Sequence, residues 1–127
     1  MAYTEQNFAV FKGEGRRIRI TVKDENDKPL DLTDFTDIKW RLAKSFKDPL
    51  PLVDKTLDGL DGDIVIEDGP GGVVIVRIRP EDIPTKVGAY LHEMRITEDE
   101  DSISTVMTGV MTVKESLFGS DVAPAVP

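Results

Sequence analysis

The sequence contains no cysteine, which excludes a disulfide framework, a thiolate nucleophile and any zinc site built from cysteine. Folding must rest on packing alone. Long apolar runs are also missing: one of the longest, Val73 to Val76, falls far short of the roughly 20 residues a membrane-spanning helix needs. No basic-then-apolar segment opens the chain, so the expectation is a soluble, leaderless protein with no membrane partner. Basic residues are outnumbered, 16 against 24 acidic ones, giving a formal net charge of -8. Phosphate neutralisation needs clustered Lys and Arg, and nucleic acid is therefore not expected as a partner. The acidity is read as a solubility device, with cation binding as the sharper alternative.

Histidine and tryptophan each occur once, at His92 and Trp40. A catalytic base needs a nucleophile or acid within hydrogen-bond reach, and a metal site needs further strong ligands. Neither is suggested near His92, which reads as a packed strand residue. No Gly-rich phosphate loop, Ser/His/Asp set or paired-carboxylate motif is evident, so the expectation is a protein that is not an enzyme and uses no cofactor and no metal.

What the chain does contain is alternation. In Arg17 to Lys23, apolar Ile18, Ile20 and Val22 share one face, while Arg17, Arg19, Thr21 and Lys23 share the other. That is the period of a half-buried β-strand, and a helix would scatter the same residues around its circumference. The pattern predicts a short first strand within Asn7 to Lys12 and further strands over Ile38 to Lys44, Ile64 to Ile66, Val73 to Arg79, Ala89 to Thr97 and Ser104 to Lys114. Leu52 to Leu57 is expected as a short edge strand, and Leu30 to Thr33 as an edge strand or bend. Trp40, with Ile38 and Leu42 two places either side, belongs to the core. Pro80 to Pro84 is too short and proline-bounded for a standard helix, and reads as a turn crossing between sheets. Tyr90, just after it, is placed to pin that crossing through its hydroxyl, as in the tyrosine corner of immunoglobulin-type sandwiches. In the last strand the alternation changes phase between Val106 and Met111, for which a β-bulge at Gly109 is the simplest account.

At 127 residues the chain suits one domain with one core. The fold expected is all-β, an antiparallel two-sheet immunoglobulin-like β-sandwich of about seven to eight strands, occupying 1–115. The segment 116–127 loses periodicity and reads as a C-terminal tail. The acidic Gly-rich stretch Asp58 to Asp63 suggests calcium, but its carboxylates do not follow the order of an EF-hand loop. A turn is the plainer reading.

The order of a strand, then Asp24-x-Asn-Asp-Lys-Pro-Leu-Asp-Leu-Thr33, a Trp strand, a Gly-rich hairpin, Pro80 to Tyr90, and a closing Gly109-Val-Met-Thr-Val113 strand resembles the small immunoglobulin-like structural proteins of tailed bacteriophages. The N-terminal domain of siphophage upper-baseplate proteins is one such protein. The resemblance runs from about Phe8 to Glu115 and is carried most by Leu30 to Thr33, Gly88 to Tyr90 and Gly109 to Val113. It implies a virion protein, assembled in the host cytoplasm, that docks on tail, baseplate or capsid beside other virion structural proteins in a symmetric, multi-copy arrangement. Binding by such a module needs only a sheet edge or an apolar anchor. Leu117, Phe118 and Val122 in the tail are the candidate partner-binding residues, with packing of the chain end onto the sandwich as the alternative for Leu117 and Phe118. A carbohydrate- or cell-surface-binding module is a further class, for which Tyr3, Phe35 and Phe46 are the aromatics available. Glycoside chemistry by Asp58, Asp61 and Asp63 is the enzymatic alternative, although nothing indicates the defined carboxylate separation it requires.

Overall fold

In the computed structural model, which describes residues 4–48, 50–57 and 63–118, the alternating segments become strands of two sheets. The strands are β1 (Thr4–Glu5), β2 (Phe8–Phe11), β3 (Arg16–Thr21), β4 (Asp37–Ala43), β5 (Val53–Thr56), β6 (Ile64–Asp68), β7 (Val73–Ile78), β8 (Gly88–Asp99) and β9 (Ser102–Lys114). The larger, six-stranded sheet runs β1-β9-β8-β4-β5, with β2 also on β9, and the smaller runs β3-β7-β6. With β3 read as strand B, this places B, E and D in one sheet and G, F and C in the other, the immunoglobulin order, with β5 extending the second sheet as C′ does in variable-type domains. One detail departs from the antiparallel expectation. β1 and β2 pair parallel with β9, as one edge strand interrupted at Gln6 and Asn7.

The core lies between the sheets and is built from the predicted faces. Ile18, Ile20 and Val22 meet Val74, Val76 and Ile78 on the small sheet, and these pack against Ile38, Trp40, Leu42, Met94 and Ile96 on the large one, all buried. β6 and β7 form the expected hairpin, with Ile64 opposite Val76 and Val65 opposite Ile75. Leu30 to Thr33 is a bend: Leu32 is fully buried, and Asp31 accepts hydrogen bonds from the Thr33 backbone N–H and hydroxyl. The Thr33 bonds also lower the Asp31 pKa. The 3₁₀ turn Pro80–Asp82 is the predicted crossing, and the Tyr90 hydroxyl donates to the Lys86 carbonyl at 2.7 Å. Tyr90 therefore acts as the tyrosine corner of this sandwich. Lys44 completes it, with its ammonium 4.7 Å from the Tyr90 ring centroid and bonded to the Ala89 carbonyl at 3.2 Å.

The bulge is not at Gly109. Met94 faces Met107 and Arg95 faces Thr105, so the extra residue is Val106, and Val106 and Met107 are consecutive buried side chains. Gly109 has a different reason to be glycine: a Cβ there would overlap the Gln6 carbonyl oxygen and lie 2.7 Å from His92 Nε2. Gly72 is constrained in another way, by a φ of +71° and by the Val22 and Leu30 carbonyls that a Cβ would strike.

Gly109→Ala should destabilise the fold by about 1–3 kcal/mol, the cost of forcing an extra methyl into a filled site. Urea unfolding would measure it, and an unchanged midpoint would contradict the close approach of β1, β2 and β9.

Candidate interaction surface

His92 belongs to β8 and points inward beside Trp40 of the neighbouring β4. Trp40 Nε1–H donates to His92 Nδ1 at 3.2 Å, and His92 Nε2–H donates to the Gln6 carbonyl at 2.8 Å. Phe8 meets the imidazole edge-on, with ring centroids 5.2 Å apart. Both ring nitrogens are thus engaged in the neutral Nε2–H form, and the residue is buried. Burial lowers its pKa below the usual 6.5, an effect only partly offset by the Gln6 bond. A protonated ring would set a second N–H against the Trp40 donor. The imidazole is a structural clasp.

A second polar group sits where β5 meets the crossing. Lys55, almost fully buried, reaches Asp82 at 2.8 Å and Asp63 at 3.4 Å, while Arg79 holds Asp63 at 3.1 Å. The Arg79 backbone N–H donates to Asp82 at 2.8 Å. A polar cleft of about 290 Å³ opens beside this group. Its members come from both sheets and the 3₁₀ turn, so it locks the sheets at this edge. Asp63, the one residue of the suspected calcium loop among the described ones, is held by these cations; Asp58 and Asp61 lie outside the described residues. No group of three or more His, Asp or Glu suited to a metal occurs among the described residues.

The outer face of the large sheet is charged and shallowly furrowed. Two clefts, of about 210 and 440 Å³, share Arg41 and Glu93. Arg41 pairs with Asp54 at 3.2 Å and Arg95 with Glu93 at 3.5 Å. Phe46 at one end of this furrow is exposed. Phe35, expected as an exposed loop aromatic, instead packs partly buried against the core, and Tyr3 lies outside the described residues. Of these three aromatics, Phe46 is the exposed one among the described residues.

At the other proposed site, Leu117 and Phe118 follow β9 and stand 97% and 70% exposed, with the Phe118 N–H bonded to Ser116 Oγ at 3.1 Å. They do not pack onto the sandwich. Val122 lies outside the described residues. Phe11, at the end of β2 and paired in register with Lys114, is a third exposed apolar side chain at this end of the edge strands. Its exposure follows from strand parity, because Phe8 and Val10 take the inward face of β2.

No family model matches the sequence, and no curated protein matches it. Among solved structures, the chain is similar to Tim-1, at 14% identity with a TM-score of 0.43, over 92% of this chain and 97% of that one. It is also similar to part of a family 123 glycoside hydrolase from Clostridium perfringens that acts on glycolipid glycans, at 15% identity with a TM-score of 0.41. That match covers 89% of this chain but only 23% of the enzyme.

Two outcomes follow from the buried polar groups. Because native His92 resists protonation, its contribution to stability is complete above the unfolded-state pKa near 6.5 and is lost as pH falls through its lower native pKa. Melting temperature should therefore fall between about pH 7 and about pH 5, and His92→Phe should flatten that decline. Lys55→Met should cost about 3 kcal/mol by leaving Asp63 and Asp82 without their buried partner, read as a lower urea midpoint.

Proposed function

We propose that this chain is a non-enzymatic virion structural protein of a tailed bacteriophage, docking as an accessory or adaptor domain on the tail or baseplate. Other virion proteins are its partners, in a symmetric multi-copy setting. The observation that carries this reading is the exposed apolar pair Leu117 and Phe118 beyond the last strand, outside the core of the sandwich. Among the described residues this pair adds nothing to the core, and exposed apolar groups commonly mark contact surfaces. The motifs behind the resemblance support the reading from another side. Leu32 caps the small sheet, Tyr90 pins the crossing and Gly109 seats the first strand, so each motif performs a defined task in this sandwich. His92, with both nitrogens engaged in the core, is unsuited to act as a base. Docking on the capsid as a decoration protein would use the same anchor.

Changing Leu117 and Phe118 to Asp should leave stability within about 0.5 kcal/mol, as for surface changes generally, while abolishing incorporation into particles in a complementation assay. Normal incorporation of the double variant would overturn the anchor.

A further inference from the structure

We propose that one end of the large sheet, where the β4–β5 connection meets the start of β8 and the end of β9, docks on an anionic lipid surface. The inference goes beyond a role in a particle and stands without it. Strand register sets the place. Phe11 lies opposite Lys114, Val113 opposite Gly88 and Leu91 opposite Ala43, so β2, β9, β8 and β4 enter or leave the sheet at the same end. From β2 across to β5 that end is about 19 Å wide, at roughly 4.8 Å per strand. Nine large apolar side chains are exposed among the described residues, and seven of them belong to segments at this end. Phe46 and Leu50 in the β4–β5 connection are each 78% exposed, and Leu52, where the connection returns to β5, is exposed too. Val87 directly precedes β8, Phe11 closes β2, and Leu117 and Phe118 follow β9. Ile103, by contrast, sits at the far end of β9 opposite Thr97, and Val65 on the small sheet.

The end is also held in shape. The Tyr90 hydroxyl bonds the Lys86 carbonyl at 2.7 Å, and Lys44 Nζ bonds the Ala89 carbonyl at 3.2 Å, which ties the β4–β5 connection to the start of β8.

Charge selects the occupant. The segments 11–12, 44–52, 86–88 and 114–118 hold five lysines against two carboxylates, Asp48 and Glu115, in a chain whose acidic residues outnumber basic ones 24 to 16. Lys12 is paired with Glu115 at 3.3 Å, and Lys44, Lys47, Lys86 and Lys114 make no ion pair among the described residues. Lysine and exposed apolar side chains are interleaved here: Lys47 follows Phe46, Lys86 precedes Val87, and Lys114 Nζ stands 6.0 Å from the Phe11 ring centroid. Protein contact patches are depleted of lysine, because seating the apolar group strips water from the ammonium beside it. A bilayer surface accepts both, with apolar tips below the headgroups and lysine stems lying along them to hold the ammonium among the phosphates. The same lysines repel the same end of a second copy. The lack of a spanning segment, on which the expectation of no membrane partner rested, does not bear on this mode, since surface docking needs none.

The test is flotation of the full chain with vesicles of equimolar phosphatidylcholine and phosphatidylglycerol, beside vesicles of phosphatidylcholine alone. Salt would be set at about 0.01 M, where charges act over about 30 Å, and at about 1 M, where they act over about 3 Å. The chain should float with the anionic vesicles at low salt, stay behind with the neutral ones, and be largely released at high salt. Phe46→Ser with Leu50→Ser should lower the bound fraction about tenfold or more, because two apolar side chains leave the interface. Lys47→Glu with Lys86→Glu should lower it to the level seen with neutral vesicles. All four positions are exposed, so both variants should keep the melting temperature of the unchanged chain. Ile103→Ser, at the far end, should bind as the unchanged chain does. A chain that does not float with anionic vesicles at low salt would overturn the proposal, as would equal binding to neutral vesicles or binding that both double variants leave intact. Equal loss in Ile103→Ser would overturn it as well. A mass above one chain in light scattering that Phe46→Ser with Leu50→Ser returns to one would do the same, by showing that a second copy covers this end.

Discussion

The buried imidazole of His92 is the constraint on which the large sheet depends. It accepts from Trp40 on one side and donates to the Gln6 carbonyl on the other, crossing β9 over Gly109 to do so. One side chain thereby connects β4, β8 and the interruption between β1 and β2. A polar group in a core is tolerated only when its hydrogen bonds are made, and here each ring nitrogen has one partner with a fixed role. Gly109 is part of the same arrangement, because the carbonyl and the ring together occupy the place where its Cβ would be. The parallel pairing of the first strand to β9 follows from this seat, since the Gln6 carbonyl must face inward at the point where the edge strand breaks.

The second tie, at the other side of the sandwich, is electrostatic. Lys55 reaches across from the edge of the large sheet to Asp63, just before β6 of the small sheet, and to Asp82 of the crossing. Removing charge from water costs several kcal/mol per ion, so such a group specifies geometry more than it adds stability. Between these two ties the apolar faces of both sheets close without a disulfide. Charged side chains then take the loops and the outward faces of both sheets.

That distribution separates folding from contact. The core accounts for the alternating apolar residues, the tyrosine corner and the buried polar groups, and among the described residues it leaves the apolar pair Leu117 and Phe118 outside. A rigid sandwich with an exposed apolar pair beyond its last strand carries a feature of the kind that contact surfaces use.

Much of the fold was written in local pattern. Period-two alternation identified the β2–β4 and β6–β9 segments, proline bounded the crossing, and the position of Tyr90 after it announced the corner, because each of these is set by neighbours in sequence. The bulge was misplaced at Gly109 because a change of phase says that a residue is inserted, not which one; the register against β8 assigned it to Val106. The pairing of the first strand had no sequence signal, so the parallel edge formed by β1 and β2 emerged only from contacts with β9, a hundred residues on. His92 read correctly as a core residue, but its partners did not, since Gln6 and Trp40 are remote in sequence. The exposure of Leu117 and Phe118 was likewise decided by three-dimensional closure. Alternation fixes which face a side chain takes, and only the meeting of distant strands fixes what it faces.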